Sequence, residues 1–173
     1  MYLGAIIGFF IGSFIELLSK NSFSIRTGSY SIKPEKFELN LLALSAIIIK
    51  ADGKIEEKEL SFVRNFFITQ YGKDRADSIF KSFNIEIKKE VQHLDQITQV
   101  FVQQTRYETR LQILHFLFGI ANADGSVSDS ELQKLSQIAS GLRLHLPDFE
   151  SIKAMFVKNK DNAYKILEVE PNA

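Results

Sequence analysis

Ala51-Asp52-Gly53, followed by Ile55 and Glu59, returns further along the chain as Ala123-Asp124-Gly125, followed by Val127 and Glu131. A dense apolar run precedes each copy, and a helix-like pattern of Leu, Val, Ile and Phe follows it. An internal repeat of this kind decides the architecture before any single element is read. Two matching units of helix, Asp-Gly turn and helix predict one all-α domain, a helical bundle with pseudo-two-fold organisation. They also put two acidic turns in equivalent places, where any chemistry of the chain has to be sought.

Working outward from the turns, the helical period accounts for the rest of the core. The first helix is read from Pro34-Glu35 to about Lys50. Its Phe37, Leu41, Leu42, Leu44, Ala46, Ile47, Ile48 and Ile49 leave little polar face, which predicts a central position. A second begins near Glu56, carries Leu60, Val63, Phe66 and Phe67 on one stripe, and ends at Gly72. A third covers Asp74 to Phe83 and a fourth about Lys88 to Gln104. Thr105 and Glu108 have the spacing of a capping box for a fifth, Arg106 to Asn122. That helix is apolar nearly all round, like its repeat partner. Ser128 to Leu142 makes the sixth, and Pro147 opens the seventh, which ends near Lys158. Nothing in this core alternates as a strand would.

Composition narrows the function classes. There is no cysteine in the 173 residues, so disulfides, zinc–thiolate sites and thiol nucleophiles are excluded. The 21 basic and 21 acidic residues cancel, leaving no general attraction to nucleic acid. His93, His115 and His145 are the only imidazoles, and no two share a helical spacing that places a metal. With no Gly-rich phosphate loop and no nucleophile elbow, the chain reads as a non-enzyme.

The acidic turns admit two readings. In the structural one, Gly53 and Gly125 take positive φ to end the preceding helices, while Asp52 and Asp124 form Asx turns. Ile55 and Val127 then tuck into the core. Ser128 with Glu131 makes a capping box, and Glu56 with Glu59 a weaker one. In the functional reading, Asp52, Glu59, Asp124 and Glu131 hold a divalent cation. Their spacing is not that of an EF-hand, whose carboxylates alternate and whose last Glu stands further downstream. One loop alone is too poor in oxygens, so a site requires both loops to converge or waters to complete it.

The N-terminus carries a separate signal. No charged side chain occurs from Met1 to Ile15, and Leu17 and Leu18 extend the run past Glu16. As a helix, residues 1–18 would span roughly 27 Å, just short of a bilayer's hydrocarbon layer. The reading is a transmembrane helix; a buried helix of a soluble protein is the alternative. Lys20, Arg26, Lys33 and Lys36 follow it, which puts the folded body in the cytoplasm. Gly4, Gly8 and Gly12 fall on one stripe, a surface on which two such helices would pack as a homodimer. Residues 19–34 form a juxtamembrane linker.

The residues around both turns carry a resemblance. Lys50-Ala51-Asp52-Gly53-Lys54-Ile55 and Phe116-Leu117-Phe118-Gly119-Ile120-Ala121-Asn122-Ala123-Asp124-Gly125 look like the two halves of a TerB-like domain, over about residues 35–158. That is the helical module of tellurite-resistance proteins, found also in membrane-anchored DjlA-type co-chaperones. The resemblance implies metal binding through acidic positions such as Asp52, Glu59, Asp124 and Glu131. Residues 161–173 resemble the opening of a J domain, through Tyr164, Leu167, Val169, Pro171 and Ala173. Glu168 stands where that module usually has Gly, and the basic second helix and the His-Pro-Asp tripeptide do not follow. The expectation is a co-chaperone fragment at the bacterial inner membrane, cut just inside a J domain that would stimulate a DnaK-type chaperone. The alternative is a stand-alone, metal-binding stress module of the tellurite-resistance type.

Overall fold

Two helices that are apolar on almost every face need partners on every side, and the fold supplies them. A computed structural model describes residues 34–87 and 93–157. Among the described residues there are seven helices and no strand: α1 Pro34–Ile49, α2 Glu57–Tyr71, α3 Lys73–Ile87, α4 Leu94–Gln104, α5 Tyr107–Ala121, α6 Asp129–Gly141 and α7 Leu146–Phe156. Helices α1 and α5 are the centre, packed against each other and wrapped by the rest. Leu41, Leu42, Leu44 and Ile49 of α1 are fully buried, as are Ile113, Leu114, Leu117, Phe118 and Ile120 of α5. Each such side chain contributes about 1.5–3 kcal/mol when removed from water, so these two helices dominate the stability.

Aromatic rings join the layers. Phe66 of α2 meets Phe116 of α5 at 4.3 Å between centroids, and Phe37 of α1 meets Phe101 of α4 edge-on at 5.4 Å. On the far side of α5, Phe149 and Phe156 of α7 flank Phe118 at 5.8 and 5.5 Å. The buried carboxylate of Glu38 on α1 is paired with Arg75 of α3 at 3.0 Å, which satisfies a charge that burial alone would make costly.

Three local expectations are corrected. Ile55 is 54% exposed: it lies in the extended stretch leading to α2, and Leu60 and Val63 make the inward contacts. Its counterpart Val127 does pack against the core. The Thr105–Glu108 capping box does not form, because the Thr105 hydroxyl donates to the Phe101 carbonyl at 2.6 Å and Arg106 takes the N-cap. Nor does a helix run unbroken from Lys88 to Gln104, since His93 caps α4 with non-helical angles, φ −81 and ψ 81. The membrane helix expected over residues 1–18, with Gly4, Gly8 and Gly12, lies outside the described residues. So does the J-like segment with Tyr164, Leu167, Val169, Pro171 and Ala173. Among the described residues no helix is long and apolar enough to cross a membrane.

Candidate functional site

The two Asp-Gly turns repeat each other bond for bond. The Ala51 N–H donates to Ile48 O at 2.9 Å, and the Ala123 N–H to Ile120 O at 3.0 Å. Gly53 and Gly125 donate back to Lys50 and Asn122, and both take positive φ, 80 and 104, the region a side chain disfavours. Asp52 Oδ1 accepts from the Lys54 N–H at 2.9 Å, and Asp124 Oδ1 from the Ser126 N–H at 2.9 Å. Both turns are therefore Asx turns, as the sequence suggests. Asp124 also accepts from the Ser126 hydroxyl, at 3.3 Å to each of its two oxygens.

One turn later each repeat supplies a glutamate that caps its helix. Glu131 Oε2 accepts from the Ser128 N–H and the Ser128 hydroxyl, each at 2.7 Å, while the Glu131 N–H donates to Ser128 Oγ at 3.3 Å. Glu59 Oε2 accepts from the Glu56 N–H at 3.1 Å. Capping directs both carboxylates inward, and each residue is only 6% exposed. Because α1 and α5 lie side by side, the two caps meet, and the Glu59 and Glu131 side chains line the same pocket, close enough for the charge of one to act on the other.

Burial pushes Glu59 up from its ordinary 4.5 to about 7, opposed by its bond from the Glu56 N–H. The neighbouring charge of Glu131 and the more distant charge of Asp52 push the same way as burial. Near neutral pH Glu59 is thus poised between its neutral and charged forms.

Asp52, Glu59, Asp124 and Glu131 all line one pocket of about 50 Å³, together with Glu56, Ser126, Ser128 and Ala121. The convergence that one oxygen-poor loop requires is present. Ser126 was not legible as a lining residue, because its counterpart in the first repeat is Lys54; its signal is its place two residues after Asp124. The donor chemistry fits a hard, oxygen-preferring cation, since every polar liner offers oxygen. As they stand, the side chains form two capping carboxylates flanked by Asx turns. Among the described residues no group of three or more His, Cys, Asp or Glu is arranged to hold a metal ion.

The histidines take no part in this pocket. Half-buried His115 lies against Phe156 at 4.9 Å, and burial lowers its pKa below the usual 6.5. His145 begins α7, where its N–H donates to the Tyr107 hydroxyl at 2.9 Å; that hydroxyl donates in turn to Asp148 at 2.5 Å. This tie between the starts of α5 and α7 is structural, and no periodicity in the sequence announces it.

Among known families, the one described as "TerB: Tellurite resistance protein TerB" matches residues 38–154. No curated protein and no solved structure matches the chain.

Proposed function

The chain belongs to the TerB family, and from that membership we propose that its helical domain is a binding module taking up one divalent cation between the two Asp-Gly loops. One observation carries the reading: Asp52 and Glu59 from the first repeat and Asp124 and Glu131 from the second line the same small pocket. Calcium-like ions take six to eight oxygens, so the serine hydroxyls of Ser126 and Ser128 and waters complete the set. A bound cation would supply positive charge between the halves, in place of the proton that Glu59 otherwise holds. Asp52 and Asp124 fix the loops through their Asx turns, and Glu59 and Glu131 are oriented by their capping bonds.

Melting curves with calcium, magnesium and zinc test this. A ligand that binds only the folded state adds about 2.7 kcal/mol at a hundred-fold excess over its Kd. Replacing Asp52 and Asp124 together by Asn keeps the Asx turns and should remove the shift. A melting curve that no cation moves would sink the proposal and leave the acidic turns as purely structural devices.

A second reading concerns segments outside the described residues and rests on their order. The apolar run Met1–Leu18, then the TerB domain, then the J-like Ala163–Ala173, is the order of a membrane-anchored co-chaperone. On it the TerB domain regulates or docks a J domain whose partner is a DnaK-type chaperone. The body faces the cytoplasm at the bacterial inner membrane, and Gly4, Gly8 and Gly12 pair two copies. A reporter fused after Lys160 should then be active only on the cytoplasmic side. Residues 1–173 alone should not stimulate a DnaK-type ATPase, whereas a version extended through His-Pro-Asp should. Full release of the chain into buffer without detergent would refute the anchoring.

A further inference from the structure

Helices α1 and α5 both end at the acidic Asp-Gly loops, so the start of α5 stands at the opposite end of the bundle. The 15 residues of α5 separate the two ends by about 22 Å. Charges in physiological salt are screened over about 8 Å, so the carboxylates of one end do not cancel charge at the other.

At that far end the corner between α6 and α7 is tied to the first turn of α5. Arg110 Nη1 donates to Leu142 O at 2.7 Å, and the His145 N–H donates to the Tyr107 hydroxyl at 2.9 Å. Arg143 lies between those two anchor points, so Arg106, Arg110 and Arg143 gather at one corner. Arg106 caps α5 and Arg110 stands one turn on; Glu108, midway between them, projects from the other side of the helix. Asp148, the other acid at this corner, is half-buried and accepts from the Tyr107 hydroxyl. Among the described residues neither Arg106 nor Arg143 has an ion-pair partner, and both are exposed.

Two further features single out the corner. Arg143 holds φ 54, a left-handed conformation that is costly for an arginine and would suit glycine. The stretch His145-Leu146-Pro147 is exposed throughout, and Leu146, at 69%, is the most exposed large apolar side chain of the described residues. A lone exposed leucine is ordinary. A leucine projecting among unpaired arginines matches a surface that offers phosphates and, just beneath them, an apolar layer. Long arginine stems reach the phosphates while the leucine sits deeper. Nucleic acid supplies the phosphates alone and leaves Leu146 in water. We propose that this corner docks on an anionic lipid bilayer, with Arg106, Arg110 and Arg143 on headgroup phosphates and Leu146 at the acyl boundary. The docking belongs to the helical domain itself and stands whether or not residues 1–18 cross the membrane. It leaves the acidic pocket at the end of the bundle turned away from the lipid.

The absence of cysteine makes a local test simple. In the full chain, Leu146→Cys carries an environment-sensitive fluorophore whose apolar ring replaces the leucine; Lys54→Cys, at the acidic end, carries the control probe. Each is mixed with vesicles of phosphatidylcholine alone, or of phosphatidylcholine and phosphatidylglycerol in equal parts. The Leu146→Cys probe should shift to the blue on the mixed vesicles only, and the Lys54→Cys probe on neither. Each arginine near an anionic surface strengthens binding about five-fold, so Arg106→Gln with Arg143→Gly should lower the ratio of shifted to unshifted probe at fixed lipid about twenty-five-fold. Arg143→Gly relieves the left-handed strain, which separates lost docking from lost folding, and circular dichroism checks each variant. Equal shifts on both kinds of vesicle, no shift on either, or indifference to the arginine changes would each overturn the proposal. So would a Leu146→Cys probe that responds to a duplex oligonucleotide and not to vesicles.

Discussion

Glu59 and Glu131 cap equivalent helices in the two halves of the domain, yet both line one small pocket across the boundary between those halves. Each has a local task that any capping glutamate performs. The pairing is tertiary, and it turns two ordinary caps into one acidic unit in which the charge of Glu131 acts on Glu59.

That unit sets a pH dependence. Glu59 is raised in the folded state, so its favourable contribution is complete below the ordinary 4.5 and is lost as pH rises through about 7. The shift corresponds to a loss on the order of 3 kcal/mol between acid and pH 8. Glu59→Gln keeps a donor toward Glu131 and cannot ionise. Urea unfolding should therefore find it close to the native chain at pH 5 and more stable at pH 8.

His115 works in the opposite direction. Burial favours its neutral ring, so stability is intact above about 6.5 and is lost as pH falls below that value. A His115→Gln variant should lose less stability than the native chain between pH 7 and pH 5. Parallel curves over that interval would show that protonation of this ring is accommodated without cost.

Gly141 tests close packing between α4 and α6. A Cβ at this position would meet Thr98 Oγ1 at 2.8 Å and Cγ2 at 3.0 Å, and Thr98 is buried and bonded to Leu94 O. Gly141→Ala should cost about 1–3 kcal/mol despite the helix propensity of Ala. Thr98→Ala in the same chain should recover part of that loss, read as non-additivity in a double-mutant cycle.

Arg143 ends α6 with φ 54, the only positive φ at a non-glycine among the described residues. The Leu144 N–H reaches Ala139 O at 3.0 Å and the Arg143 N–H reaches Ser140 O at 2.9 Å, the pattern of a Schellman ending. Glycine suits that position better, so Arg143→Gly should raise stability by about 1 kcal/mol in thermal unfolding.

The helices were legible because burial leaves a periodic trace: α1 and α5 show their central position in Leu41 to Ile49 and Leu111 to Ile120 directly. The Asx turns at Asp52 and Asp124 were legible because they are local, each made with a residue two positions on. The Thr105 cap failed for an equally local reason, since its hydroxyl turns back to donate to the Phe101 carbonyl of the preceding helix instead of accepting from the next one, and Arg106 takes the N-cap. Ile55 misled because apolar character was read as burial, whereas a short extended link has no obligation to face inward. The meeting of Glu59 and Glu131 at one pocket, the Phe62–Gly119 contact and the Tyr107–Asp148 tie all join residues distant in sequence. Spacing along the chain holds no record of such pairs; the repeat showed only that the two glutamates are equivalent.

The mutual wrapping of α1 and α5 has a consequence for the order of events during synthesis. Neither half can shelter its apolar helix alone, so contacts of large sequence separation must form before either is secure. On a ribosome, α1 emerges long before α5 and must wait, exposed or guarded by a chaperone, until its partner has been made. The pocket between the Asp-Gly loops arises later still, once Glu131 has left the exit tunnel and α6 has closed. Its acidic pair thus works as a timestamp: the protonation behaviour of Glu59 changes only when the last half of the domain has arrived.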